Sequence, residues 1–235
     1  MDTQRSGLSA HAAETMPVSF TSATLPPHKA SALSRDHCHA GVSLLDMSPH
    51  HRVLDMYGSG RHRMDMISRE LDERGELVAN IMGALSLESV ELRHTPKNVI
   101  MTRLDDERLS LEEVGSFDRV LLNIPALIGR HLSSRQRSER LVSLLLRAIV
   151  LCRDGGRVVY VTHGHRVQNN EMVIDQVIND AHKGVALRNI AFAGSAGSTT
   201  CGGQQLDPRI ARTLYLGSEK GNDDRFLAVL ECRRS

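Results

Sequence analysis

An α/β protein with a mostly parallel, doubly wound sheet is predicted by three features of this 235-residue chain. First, short apolar runs bounded by turn residues recur along it, with helical periodicities between them. Second, the run FDRVLLNIPALIGRH at residues 117–131 reaches Pro125, which has no amide hydrogen to give to a ladder, and so reads as a buried central strand opening into a loop. Third, the glycine turn Tyr57-Gly58-Ser59-Gly60 stands between a strand and a helix, the order of a nucleotide-binding βα unit. In open α/β sheets ligands lie beyond the carboxyl ends of the strands, so residues 123–131 line the expected pocket. Asn123, Pro125, Ala126, Leu127 and Ile128 stand there, and none is an acid, base or nucleophile.

Composition narrows the class. Aromatics are 3% and Trp is absent, so Leu, Val, Ile, Met and Ala must build the core. With 29 basic and 28 acidic residues the formal net charge is +1, too balanced for a protein that grips RNA alone over a large face. Cys38, Cys152, Cys201 and Cys232 are scattered without a CxxC, which favours a reducing compartment over a disulfide framework. No apolar run is long enough to span a membrane. Asp2, Arg5 and Glu14 with no apolar core argue against a secretory signal; Ser and Ala with little Arg fit a mitochondrial presequence only in part.

Taken in order, residues 1–35 are rich in Ser, Thr, Ala and Pro and read as an extended or disordered arm; residues 36–235 form the folded domain. A short helix over 40–47 ends before Ser48-Pro49, and 51–56 is the first strand. After the glycine turn a helix covers 61–74, a second strand 77–80, a helix 86–93 and a third strand 99–102. The fourth strand is 119–124. Ser133-Ser134 then caps a helix running to 151, with Leu141, Leu144, Leu145, Ala148 and Ile149 on one face. Arg130, Arg135, Arg137 and Arg140 gather at its start, beside the pocket mouth, as candidates for phosphate or partner contact. Asp154-Gly155-Gly156 turns into a fifth strand over 157–162, followed by His163-Gly164-His165 and a helix over 169–181. A sixth strand at 187–193, a loop at 194–203 and a last strand at 226–232 complete an antiparallel C-terminal edge. No metal site is expected: adjacent ligands such as His37-Cys38-His39 point apart, and adding His163 and His165 gives no structural zinc spacing.

Several of these segments, in fixed order, resemble the Sun-type RNA cytosine-C5 methyltransferases. HRVLDMYGSGRHRM at 51–64 resembles the family's VLD-x-CAAPGGKT cofactor loop, and FDRVLLNIPA at 117–126 its YDRVLVDxPC. DGGRVVYVTHGHRVQNNE at 154–171 resembles PGGxxVYSTCSxxxxxNE, and DRFLAVL at 224–230 the closing GFFxAxL strand. The likeness covers most of 36–235 and is nearest to the mitochondrial ribosomal member, which works with an mTERF-type helical-repeat partner. It implies a Rossmann-like S-adenosylmethionine-dependent fold and a cofactor site at Asp55, Tyr57, Gly58, Gly60, Ile81 and Asp105.

The departures fall in one functional set. The family adds a cysteine thiolate to C6 of cytosine to activate C5. That cysteine's position is His163; the second cysteine, after the fourth-strand proline, is Ala126; the acid before that proline is Asn123. Pro-Gly-Gly-Lys becomes Gly60-Arg61-His62-Arg63, and the ribose-binding acid becomes Ile81. The expectation is therefore a non-catalytic relative with no cofactor. It acts in the mitochondrial matrix on ribosome assembly, in the large subunit, with ribosomal RNA, ribosomal proteins and an mTERF-type protein as partners and no membrane. The alternative is an active S-adenosylmethionine-dependent rRNA cytosine-C5 methyltransferase.

Overall fold

The computed structural model describes residues 37–58, 60–81, 95–105, 109–126, 128–129, 131–180, 184–217 and 224–233, with the side chains of 37–39 outside that set. The expected arm at 1–35, the helix at 86–93 and Arg130 lie outside the described residues.

Alternation along each central strand divides its side chains between two cores, one on each face of the sheet. In β1 (Arg52–Asp55) Val53 and Leu54 go to opposite cores; in β4 (Phe117–Asn123) so do Leu121 and Leu122, and in β5 (Cys152–His163) Val159 and Tyr160. Helices α1 (His37–Leu44) and α2 (Arg61–Glu70) cover one face. Helices α4 (Ser134–Leu151) and α5 (Glu171–Asp180), with the one-turn α3 (Leu111–Val114), cover the other.

The sheet order is β3-β2-β1-β4-β5-β11-β10-β7, where β2 is Glu76–Asn80, β3 Val99–Thr102, β7 Ser195–Ala196, β10 Leu214–Leu216 and β11 Arg225–Cys232. Strands β1–β5 are parallel; β11 runs antiparallel to β5, and β6 (Val185–Arg188) pairs with its outer edge at the C-terminal end. This is the doubly wound sheet with an antiparallel C-terminal edge that the sequence predicts. The carboxyl ends of β1, β4 and β5 open on the same side and carry Asp55, Asn123 and His163.

Several boundaries differ, each for a tertiary reason. The first helix is His37–Leu44, not 40–47. Its last carbonyl and the turn after it are held from across the fold: Arg157 Nη1 donates to Leu44 O at 3.0 Å, and Arg119 donates to Asp46 O through Nε at 3.1 Å and Nη2 at 3.0 Å. Helix α2 stops at Glu70 rather than 74, because Asp72 and Glu73 turn to φ 47° and 56°. Ser133 caps α4 in a reciprocal box with Gln136. The sixth strand starts at Val185, two residues earlier than predicted, because it pairs with the C-terminal half of β11. The expected loop at 194–203 contains β7, β8 (Thr200–Cys201) and the turn to β9 (Gln204–Gln205).

Candidate functional site

At the β1 end, Asp55 and Arg63 close on each other. Asp55 is fully buried and Arg63 almost so; Arg63 Nε donates to Asp55 Oδ2 at 2.7 Å and Nη2 to Oδ1 at 3.3 Å. The same Nη2 also donates to the Tyr57 carbonyl. A guanidinium has five donors in a planar fork, and here it spans both carboxylate oxygens and the loop backbone. Gly60, at the start of α2, has φ 89°, a left-handed value that a proline ring cannot take. The turn therefore follows a path that a Pro-Gly-Gly loop does not.

The β2 end is closed by Asn80. Its Oδ1 accepts from Thr102 Oγ1 at 3.0 Å and Leu104 N at 2.9 Å, and its Nδ2 donates to Leu104 O at 2.9 Å and Met56 O at 3.4 Å. These bonds staple β2 to the segment after β3. Ile81, at the resemblance's ribose position, is buried, and Gly58 donates its N–H to Asn80 O at 2.8 Å. Asp105 is exposed. Thus of the residues expected at the cofactor site, Asp55 has both oxygens on Arg63, Ile81 has no polar side-chain atom to offer a ribose, and Tyr57 gives its carbonyl to Arg63. The Asp55 carboxylate and the Tyr57 carbonyl are thus already engaged within the chain.

Beyond β4 and β5, Ala126 and His163 do come together, lining an open cleft of about 760 Å³ with Arg137, His165, Arg166 and Asn169. A smaller recess of about 40 Å³ between Pro125, Ala126, Thr162 and His163 holds little more than water. Three of the four cysteines have described side chains; Cys152 and Cys232 are buried, Cys201 packs against the core, and none lines the cleft or the recess.

His163 Nε2 lies 2.9 Å from Arg225 Nη1. Since guanidinium only donates, Nε2 must accept, so the ring is neutral with its proton on Nδ1. Its basic lone pair is turned toward Arg225. Asn123, where the family acid would stand, has a buried Oδ1 with no hydrogen-bond partner: an acceptor without charge.

Sequence reasoning missed the network that fixes the cleft's far wall. Thr162 Oγ1 donates to Asn170 Oδ1 at 2.5 Å, and Asn170 Nδ2 donates to Gly164 O at 2.8 Å and Tyr215 Oη at 3.0 Å. Tyr215 Oη donates to Glu171 Oε2 at 2.8 Å, while Glu171 Oε1 accepts from Ser198 N at 3.0 Å. Burial pushes the Tyr215 hydroxyl far above its ordinary range, and does the same to Tyr160. His165 stacks on Tyr215 with centroids 4.7 Å apart and lies 2.5 Å from Asp224. The Asn-Glu pair of QNNE was the available signal; its partners Thr162, Tyr215 and Ser198 were not.

Of the arginines expected to meet phosphate, Arg137 lines the cleft but donates to Gly129 O through Nε at 3.3 Å and Nη2 at 2.9 Å, bracing the loop after β4. Arg135 pairs with Glu139 at 2.8 Å in solvent, and Arg140 is exposed. Among the described residues no three His, Cys, Asp or Glu are placed to hold a metal ion, and no helix is long and apolar enough to cross a membrane.

No family model matches the chain. It is 27% identical over 205 residues to a 28S rRNA (cytosine-C(5))-methyltransferase of Mus musculus, covering 79% of this chain and 26% of that protein. It is 25% identical over 206 residues to the 28S rRNA (cytosine(4447)-C(5))-methyltransferase of Homo sapiens, covering 79% and 25%. The match thus spans about a quarter of each curated relative's length. Among solved structures, a methyltransferase homologue from Pyrococcus horikoshii superposes with a TM-score of 0.68 at 21% identity, over 83% of this chain and 65% of that one. NSun6 from the same organism, solved with SFG, gives 0.63 at 20% identity, over 84% and 52%. The sequence matches show a similarity to rRNA cytosine-C5 methyltransferases over part of their length, and the structural ones show that the chain has the Rossmann-like fold of the proteins superposed on it.

Proposed function

We propose that this chain is a non-catalytic, methyltransferase-like scaffold that acts in assembly of the mitochondrial ribosome, in its large subunit, and holds ribosomal RNA together with an mTERF-type helical-repeat partner and ribosomal proteins. One observation carries the reading: Ala126 and His163 share one cleft, where the family would bring two thiols, and His163 has its Nε2 lone pair on Arg225. Imidazole is already a poor substitute for a thiolate in C6 addition, and here it is occupied. The second support is the engagement of Asp55 by Arg63 and the burial of apolar Ile81. Each lost or diverted polar contact costs about 1–3 kcal/mol. Two or three of them take micromolar S-adenosylmethionine binding toward millimolar, at about 1.4 kcal/mol per tenfold. Intact cores on both sheet faces fit a chain used for its shape.

Similarity to proteins named as rRNA cytosine-C5 methyltransferases favours a second reading, an S-adenosylmethionine-dependent rRNA cytosine-C5 methyltransferase that draws its nucleophile from elsewhere. Purification of the tagged chain under native conditions separates the two roles. The scaffold reading expects mitochondrial ribosomal precursors and a helical-repeat protein in stoichiometric yield. A chain that leaves the column without ribosomal RNA contradicts it.

A further inference from the structure

Arg119 of β4 and Arg157 of β5 are register partners, and Arg157 stands opposite Glu231 of β11. One strand further out, Arg188 of β6 pairs with Val229, two residues from Glu231, so its side chain leaves the sheet on the same face. That face is the one covered by α1 and α2, whose core includes Val159 and Val229. Arg212, at the end of the 3-10 turn Pro208–Arg212, joins them by donating Nη1 to Leu187 O at 2.9 Å. Arg233 follows β11, with its Nε 4.0 Å from Glu231. Among the described residues two acids answer these five arginines: Asp46 pairs with Arg157 at 3.2 Å, and Glu231 with Arg188. Two further acids lie near Arg119 and Arg212 but are matched already, Asp118 by Arg153 at 2.8 Å and Asp207 by Arg209 at 2.7 Å. Partial burial, then Arg233, Arg157 and Arg212, lower the affinity of the Arg188 guanidinium for its proton. Like charges gathered in this way repel, and an incoming polyanion relieves the repulsion.

The shape of the patch says which polyanion fits. From β4 across β5 and β11 to β6 is three strand spacings of about 4.8 Å, about 14 Å in all, which is more than one phosphate can cover. Guanidinium forks match phosphate oxygens in pairs. The three exposed large apolar side chains among the described residues, Ile100, Leu111 and Val150, stand on β3, α3 and α4, so the patch gives no such anchor to a lipid surface or an amphipathic helix. A chain of balanced net charge can still grip RNA through a local concentration of this kind. We propose that this patch holds the phosphodiester backbone of RNA, with Arg188, Arg212 and Arg233 on successive phosphates and Arg119 and Arg157 as its fixed end beside α1. The patch shares no residue with the Ala126–His163 cleft. It deepens the scaffold reading, from which it takes RNA as the partner class, but it is tested on the purified chain, so the two fail separately.

Fluorescence anisotropy with a labelled RNA hairpin of arbitrary sequence, titrated with the full chain from about 50 to 200 mM salt, tests this. Arg188→Gln with Arg212→Gln and Arg233→Gln, checked for an unchanged melting curve, weakens binding at least tenfold. The slope of log affinity against log salt falls by about two to three, since each phosphate contact accounts for about 0.7–0.9. Arg135→Gln at the α4 start changes neither. A gain-of-function arm needs no loss of a structural bond from Arg188 or Arg212: Asp46 is 70% exposed at φ 51°, a conformation asparagine accepts. Asp46→Asn takes an acid from the patch and tightens binding about two- to fivefold. No RNA binding by the unaltered chain, an unchanged slope in the triple variant, an equal loss from Arg135→Gln, or no gain in Asp46→Asn overturns the proposal. So does binding of poly-glutamate or of phosphatidylserine vesicles as tight as that of RNA.

Discussion

Replacing Arg63 by Met keeps most of the apolar stem and removes the guanidinium that spans Asp55 and the Tyr57 carbonyl. Both partners are out of water, with side-chain exposures of 4% and 0%, so no solvent takes over the role of the lost charge. Breaking a buried pair by deleting one member costs about 3–5 kcal/mol, mainly because the remaining charge stays buried. Three hydrogen bonds go at once, two to Asp55 and one to Tyr57 O. Asp55→Asn strands the guanidinium in the same way. The double variant leaves no buried charge, so it costs less than the sum of the singles, with a coupling of about 2 kcal/mol or more. Equilibrium urea unfolding at constant pH reads all three. A loss under about 1 kcal/mol for Arg63→Met, or strict additivity, refutes the view that this pair rather than a ligand organises the β1 end.

Other outcomes follow from the same geometry. Asn170→Ala breaks three hydrogen bonds, two of them buried, and lowers stability by about 2–4 kcal/mol in the same assay, whereas Gln168→Ala, exposed, changes it by less than about 0.5 kcal/mol. The hydroxyls of Tyr160 and Tyr215 sit above their ordinary range because they are buried. Their raised folded-state pKa means full stability below about pH 10 and a decline above it, as the unfolded chain ionises first. Tyrosinate absorbance then rises together with loss of structure, and Tyr160→Phe with Tyr215→Phe flattens the decline. Nitrogen-15 spectra of His163 show a protonated Nδ1 and an accepting Nε2, and Arg225→Met abolishes that asymmetry. The side-chain hydrogen bond from Arg209 holds the Asp207 carboxyl below the usual range; what this half-buried pair adds is present above about pH 4 and lost as acid protonates Asp207, a loss absent in Asp207→Asn.

The parts of the fold legible in the sequence are those whose signal is local. β3 has its predicted bounds because the apolar run Val99-Ile100-Met101, closed by β-branched Thr102, sits between turn residues, and α4 follows from its apolar face and the Ser133 cap. What escaped is held by distant partners. β10 has three residues and exists through pairing with β11, and α3 is one turn whose local marks are Ser110, which accepts from Glu113 N at 3.4 Å, and Gly115 at its end. At the site, the strand ends put Ala126 and His163 in one cleft, as their motif positions imply. The lock on His163 comes from Arg225, 62 residues away, and no spacing encodes it. Arg63 read only as part of the Gly60-Arg61-His62-Arg63 departure from the cofactor loop; as the partner of Asp55 it was invisible, because an i, i+8 pair across a strand–helix turn has no periodic signature. The arginines at the α4 start looked interchangeable, yet Arg137 braces the backbone while Arg135 stays in solvent.

Isothermal calorimetry with S-adenosylmethionine, run beside methyl transfer from the labelled cofactor to ribosomal RNA, addresses the central claim most directly. A non-catalytic chain gives no heat at micromolar ligand and no label in cytosine. Stoichiometric binding with label appearing at C5 of cytosine contradicts it.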